Sequence, residues 1–270
     1  MDKRPIGVFD SGLGGLTTLK KLSLLLPGED MIYLGDTGRV PYGPRSRETI
    51  IRYSLQSAAF LTGFDIKAMV IACNTACSAA YETLESLYDI PLYEVIEIPA
   101  KIAAALTGNN KVGVIGTKAT IRSGAYEVAL KKAKPELTVY SAACPLFVPL
   151  VEDGMTGEDD VAVIAIAERY LSELRETGVD TLIMGCTHYP LLRGAIAKVM
   201  GPDVSLVDSG TETAKLVAAD LGAQGALAQR DTDGTIRYYV TDYADDFSRL
   251  ASRFLESDVQ GMVEQVVLEQ

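Results

Sequence analysis

The sequence predicts an α/β protein of two similar domains, each a largely parallel sheet flanked by helices, with an active site in the cleft between them. Three observations predict it. Strand-length apolar runs alternate with amphipathic stretches along most of the 270 residues, the βαβ rhythm that builds parallel sheets covered on both faces. Two stretches follow one logic, Met69-Val70-Ile71-Ala72-Cys73-Asn74-Thr75-Ala76 and Thr181-Leu182-Ile183-Met184-Gly185-Cys186-Thr187-His188-Tyr189-Pro190. Each runs from an apolar strand through a small residue into a cysteine, then into polar residues that start a helix. Finally, the Asp10-Ser11-Gly12 of the opening segment returns as Asp208-Ser209-Gly210.

Taken in order, Ile6 to Asp10 reads as a strand that ends in the Gly-rich turn Gly12-Leu13-Gly14-Gly15. A helix from Leu16 follows and stops near Pro27-Gly28. Neither G-x-G-x-x-G nor G-x-x-x-x-G-K-[ST] is present at this turn, which weakens a phosphate-binding reading. Met31 to Asp36 is the second strand, and the Arg39–Pro44 loop is too rich in Pro and Gly to be helical. A helix from about Ser46 to Phe60 leads to the strand into Cys73, and Pro91 to Ile96 forms another short strand.

A new unit of the same kind starts at Ile98. Lys111 to Thr117 is its first strand, with Thr120 and Ser123 available to start the next helix, and Leu137 to Ser141 is the second. Pro145 to Gly154 is an apolar stretch ending in acids. An amphipathic helix from about Asp159 to Thr177 leads to the strand into Cys186, and Pro190 suits a first helical position. Val204 to Asp208, a helix near Glu212 to Leu221 and a strand at Ile236 to Val240 follow. An amphipathic helix is expected to close the chain.

Composition narrows the function. The chain is 48% hydrophobic and 23% charged, as in globular proteins. It shows neither a membrane-length apolar run nor a signal-peptide core. Four cysteines without framework spacing point to reduced thiols in a cytoplasm. The net charge of −11 argues against general nucleic-acid binding and against anionic membranes. One histidine, with no C-x-x-C or H-E-x-x-H, leaves little for a zinc site. No lysine is expected at a strand end near either cysteine, so a lysine-bound cofactor has no obvious anchor.

A cysteine at the carboxyl end of a parallel strand faces the amino end of the next helix, where unpaired N–H groups favour an anion. Two such cysteines facing each other across a cleft suit inversion of a stereocentre. One thiolate removes a proton from a tetrahedral carbon and the other thiol delivers one to the opposite face. Asp10 shares a sheet end with Cys73, and His188 stands beside Cys186. Cofactor-free amino-acid racemisation fits this set. A two-lobed protein that binds a small dicarboxylate without chemistry, and a racemase for aspartate or another amino acid, are the alternatives.

Phe9-Asp10-Ser11-Gly12-Leu13-Gly14-Gly15, Val40-Pro41-Tyr42-Gly43, Ala72-Cys73-Asn74-Thr75-Ala76 and Gly185-Cys186-Thr187-His188-Tyr189-Pro190 together resemble the motif set of bacterial glutamate racemases. The similarity covers nearly the whole chain, with the motifs in the expected order. Aspartate racemases are similar around the cysteines but carry Glu where this chain has His188. The resemblance implies two α/β domains, with both chain ends packed on the first: 1–97 plus 208–270, and 98–207. It implies interconversion of L- and D-glutamate without a cofactor, supply of D-glutamate for peptidoglycan, a cytoplasmic location and a homodimer. It makes Cys73 the base toward D-glutamate, assisted by Asp10, and Cys186 the base toward L-glutamate, assisted by Glu152 and His188. Substrate contacts are implied at Asp10, Ser11, Pro41, Tyr42, Gly43, Asn74, Thr75, Thr187 and His188, with Thr117 and Thr120 as additions. Cys77 stands where Ser is more usual, and it and Cys144 are expected to be core residues. The amino-terminal extension tied to activation by a cell-wall precursor in some members is not seen, so no such requirement is expected.

Overall fold

The computed structural model describes residues 1–230 and 232–269. The chain enters as β1 (Ile6–Asp10), α1 (Leu16–Leu25), β2 (Met31–Gly35), α2 (Arg47–Thr62), β3 (Ala68–Ile71), α3 (Asn74–Leu87) and β4 (Leu92–Glu94). It then runs through α4 (Glu97–Leu106), β5 (Lys111–Gly116), α5 (Lys118–Ser123), α6 (Ala125–Ala133), β6 (Thr138–Ala143), α7 (Phe147–Glu152) and α8 (Val161–Glu176). β7 (Thr181–Gly185), α9 (Arg193–Met200), β8 (Ser205–Asp208), α10 (Ser209–Ala223), β9 (Ile236–Val240), α11 (Ala244–Leu255) and β10 (Val263–Gln265) complete it.

The strands form two sheets, β10-β9-β2-β1-β3-β4 and β6-β5-β7-β8, and every pairing in them is parallel. The four strands of the second sheet stand in the same relative order as β2-β1-β3-β4 of the first. In both, the order reverses between the first and third strands of the unit, the switch point where open α/β sheets bind ligands. Side chains alternate across the sheets as a period of two requires. Val8, Val70 and Leu182 join one buried cluster, whereas Phe9, Ile71 and Ile183 join another. Both clusters thus run through both sheets. Between the sheets α1 packs on α10, α10 on α4, and α4 against β7 and β8.

Three expectations of these elements need correcting, and one stretch gains an element. The closing helix α11 is not the end, because β10 adds a parallel edge strand beside β9. The segment after Cys186 starts as a 3₁₀ turn, Tyr189–Leu192, before α9. Pro190 holds an early position of that turn rather than of an α-helix. The helix after β5 is capped by Thr117, whose hydroxyl accepts the Thr120 N–H at 3.3 Å, so Thr120 lies inside α5. Gly124, in the left-handed region at φ +69°, separates α5 from α6. The apolar stretch at Pro145 contains the short helix α7, which brings Glu152 to its last turn.

Candidate active site

The carboxyl ends of β1, β3, β5 and β7 meet at one cavity of about 390 Å³. Cys73 and Cys186 both line it, one from each sheet. Cys73 follows β3 by two residues and is the residue at which α3 begins. Cys186 directly follows β7. Continuing the strand registers places Ser11 opposite Cys73 and Thr117 opposite Cys186, so each cysteine has a hydroxyl residue on the neighbouring strand end.

On the first side, Cys73 is 5% exposed and its Sγ lies 3.4 Å from Ser11 Oγ. Burial pushes this thiol up to about 11, the nearby Asp10 carboxylate adds to the rise, and the Ser11 hydroxyl opposes it. Asp10 ends β1 and is buried, which raises its own carboxyl. It accepts the Gly12 N–H at 2.8 Å and the Thr187 hydroxyl at 3.4 Å. The Gly-rich turn is shaped by close approach rather than by phosphate. A Cβ on Gly15 would stand 2.5 Å from Asp10 Cβ, and one on Gly14 would stand 2.5 Å from His188 Nδ1. Tyr33 donates to Gly12 O at 2.7 Å and fixes the turn from below.

On the second side, burial raises the Cys186 thiol, and the His188 backbone N–H works against that rise. The His188 Nε2 lies 3.1 Å from Glu152 Oε1, and the Phe254 ring of α11 meets the imidazole edge to face, 5.7 Å between centroids. Thr17 of α1 donates to Thr187 O at 2.9 Å. The turn after Cys186 is therefore tied to the first sheet as well as the second.

The pattern that describes the Asp/Glu/Hydantoin racemase family matches residues 16–217. A glutamate racemase of Geobacter metallireducens is 51% identical over 100% of this chain and 98% of its own. The chain belongs to this racemase family. A glutamate racemase crystal structure from Bacillus anthracis superposes with a TM-score of 0.94 at 39% identity, covering 99% of both chains. One from Francisella tularensis, in complex with D-glutamate, gives 0.92 at 39% identity, over 100% of this chain and 99% of that one.

In this member of the racemase family, the cavity also gathers Ser11, Pro41, Tyr42, Gly43, Asn74, Thr75, Thr117, Glu152, Thr187 and His188. Asp10 and Thr120, each 1% exposed, stand behind its wall. Thr120 shares a hydroxyl cluster with Thr75 (3.3 Å) and Thr117 (3.1 Å), and Thr75 lies 2.9 Å from Thr117. The loop of Tyr42 is held by a buried relay. Tyr42 donates to the Asp36 carboxylate, and Asp36 also accepts from Arg39 Nε at 2.7 Å and from Thr241 at 2.8 Å. Cys77 and Cys144 are buried away from the cavity, Cys77 with its Sγ on Ile71 O at 3.1 Å.

Sequence reasoning missed Lys118, which does line the cavity, against the expectation of no lysine at a strand end near either cysteine. It follows Thr117 at the end of β5, and only the sheet order puts β5 beside β7. Val40, Pro145, Val148 and Pro149, which give the cavity its apolar wall, carry no signal in sequence beyond being apolar. Among the described residues no group of three or more His, Cys, Asp or Glu side chains could hold a metal ion. Nor is any described helix long and apolar enough to cross a membrane.

Proposed function

We propose that the chain interconverts L-glutamate and D-glutamate with two bases, Cys73 and Cys186, and without a cofactor. The observation that carries this reading is that both thiols line one cavity from equivalent places in two sheets of the same strand order. The names of the relatives and the D-glutamate complex supply the substrate.

In the direction from D-glutamate, the Cys73 thiolate takes the proton from Cα, leaving a carbanion whose charge spreads into the carboxylate. The Cys186 thiol gives its proton to the opposite face. The enzyme is left with a protonated Cys73 and a Cys186 thiolate, the state that accepts L-glutamate. Proton exchange with water resets it. Asp10 assists Cys73, and Glu152 and His188 assist Cys186. The hydroxyls of Ser11, Thr75, Thr117 and Thr187, with Asn74 and the Pro41-Tyr42-Gly43 loop, hold the carboxylates and ammonium. Thr120 and Asp10 complete the set by holding Thr75, Thr117 and Thr187.

Burial suits this chemistry. A thiol pushed up to about 11 is a stronger base once ionised than an exposed one, and a water-poor cavity strengthens each charge interaction within it. The division into 1–97 plus 208–270 and 98–207 belongs to the same reading. So do action as a homodimer in the cytoplasm and supply of D-glutamate for peptidoglycan.

The test is isotopic. In heavy water the donating thiol carries deuterium before substrate binds, so early product of inverted configuration should hold deuterium at Cα while recovered substrate keeps protium. Cys73→Ala and Cys186→Ala should each lose at least about 10²–10⁴-fold in racemisation. Product that largely retains the substrate's own proton, or near-normal turnover in Cys186→Ala, would end the two-thiol reading. The same assay run with aspartate fixes the substrate.

A further inference from the structure

One buried phenol touches the residue after the first thiol and the residue before the second. Tyr126, on the first turn of α6, is 3% exposed. Its hydroxyl donates to Val95 O at 2.8 Å and accepts an amide N–H from Asn74 Nδ2 at 2.8 Å. Asn74 immediately follows Cys73. The hydroxyl end of the ring also lies on Gly185, where a Cβ would stand 2.8 Å from the ring Cε2. Gly185 immediately precedes Cys186. Asn74 also donates to Val95 O at 3.1 Å, and Val95 lies in the connection from β4 to α4 that carries the chain from the first sheet to the second. That connection is held from a third direction, since Thr213 of α10 donates to Glu94 O at 3.1 Å.

We propose that Tyr126 is a positioning residue that sets the spacing of Cys73 and Cys186 by bracing the Gly185 backbone with its ring and the Asn74 amide with its hydroxyl. The proposal rests on the two-thiol reading above. Hydrogen-bond bookkeeping supports a specific role for the hydroxyl. With Val95 O and the Tyr126 oxygen accepting, the Asn74 amide nitrogen is committed, and Asn74 Oδ1 is left buried without a partner. The phenol oxygen, which both donates and accepts, ties the amide and Val95 O together and gives the amide nitrogen the shorter of its two bonds. Phenylalanine keeps the ring against Gly185 and leaves the amide held by the longer bond to Val95 O alone. The small residue at 185 serves the same contact, because a Cβ there would press on the ring as well as on Ile115 O.

The experiment is Tyr126→Phe, assayed in both directions with kcat and KM separated and with deuterium incorporation followed in heavy water. A displacement on the scale of 1 Å at a reacting pair costs about 10²-fold, so a loss of kcat between about 10-fold and 10²-fold is expected, with KM changed less. Slow delivery from the second thiol gives the first time to exchange and return its proton. Recovered substrate should therefore gain deuterium at early times in Tyr126→Phe but not in the natural chain. A loss confined to KM, or a loss of kcat with the deuterium pattern unchanged, would show a merely structural residue and overturn the proposal, as would wild-type kinetics. Should Tyr126→Phe not fold, Gly185→Ala presses on the ring Cε2 and, equally, on Ile115 O of the neighbouring strand; the deuterium pattern is then the readout, and recovered substrate that keeps protium overturns the proposal. Failure of the two-thiol reading itself would appear separately, as activity in Cys186→Ala.

Discussion

Replacing Gly14 with alanine adds one methyl group to the turn between β1 and α1, and the structure sets what it must displace. The new Cβ would lie 2.5 Å from His188 Nδ1 and 2.6 Å from Cε1, with the Thr187 hydroxyl closer still. Gly14 is not in the left-handed region, so alanine carries no backbone penalty and the contact alone decides the cost. Non-bonded heavy atoms settle near 3.5 Å, and the imidazole must therefore retreat by about 1 Å. It is confined by Glu152 at 3.1 Å and by the Phe254 ring. Overpacking of this kind costs about 1–3 kcal/mol, several degrees in Tm for a chain of this size. Displacing the group beside Cys186 by about 1 Å should lower kcat/KM by about 10²-fold. Because the equilibrium constant of a racemisation is unity, kcat/KM must fall by one factor in both directions. Circular dichroism of glutamate solutions from each enantiomer, with thermal unfolding alongside, measures both effects. In a His188→Ala background the kinetic cost of Gly14→Ala should shrink without vanishing, because the ring to be moved is gone while the Thr187 hydroxyl must still give way. Wild-type kcat/KM and Tm in Gly14→Ala would refute the idea that this glycine exists to admit the imidazole.

Two predictions concern protons. The Glu94 carboxyl accepts the N–H groups of Ile96 and Glu97 at 2.5 Å each, and burial pushes it up to about 7 from an ordinary 4.5. The folded state then holds a proton that the unfolded chain releases, so this stabilisation is complete below pH 4.5 and is lost as pH rises through 7. At about 1.36 kcal/mol per pH unit the interval is worth on the order of 3 kcal/mol. Urea unfolding should show the natural chain losing that much relative to Glu94→Gln between pH 4.5 and 8, and parallel pH profiles would refute it. Asp10 helps burial to raise the Cys73 thiol, so Asp10→Asn should shift the midpoint of iodoacetamide labelling at Cys73 to lower pH. Peptide mass spectrometry reads the labelling, and an unmoved midpoint would remove Asp10 from the electrostatics of that thiol.

The strand ends were legible because their code is local. An apolar run, a small residue, a cysteine and a helix-starting residue are consecutive at Ala72-Cys73-Asn74 and at Gly185-Cys186-Thr187. What the sequence did not disclose is set by contacts between elements distant along the chain. Lys118 joins the cavity only because β5 neighbours β7. Phe254 meets His188 from a helix that closes back over the site. Tyr126 is ordinary in its own helix and matters only through Asn74 and Gly185. The three-residue β10 has no periodicity to betray it and exists because β9 offers an edge. The glycines at 14 and 15 announced a special turn but not its reason. Three side chains, Asp10 of the preceding strand and Thr187 and His188 from the second sheet's side, occupy the space that a Cβ would need.

The repeated order of the strands has a consequence for descent. A single unit of four strands with one cysteine after its third strand, paired with an identical copy, would already present two thiols to one cleft from symmetric positions. Such an ancestor would treat both mirror images of a substrate alike at no extra cost in design. Joining the copies in one chain releases each half to change alone. The two halves differ in what stands next to sulfur, a serine and an aspartate at Cys73 and an imidazole with its glutamate at Cys186. Under the two-thiol proposal, asymmetry at the sulfurs would let selection adjust one mirror-image half-reaction without rebuilding the other.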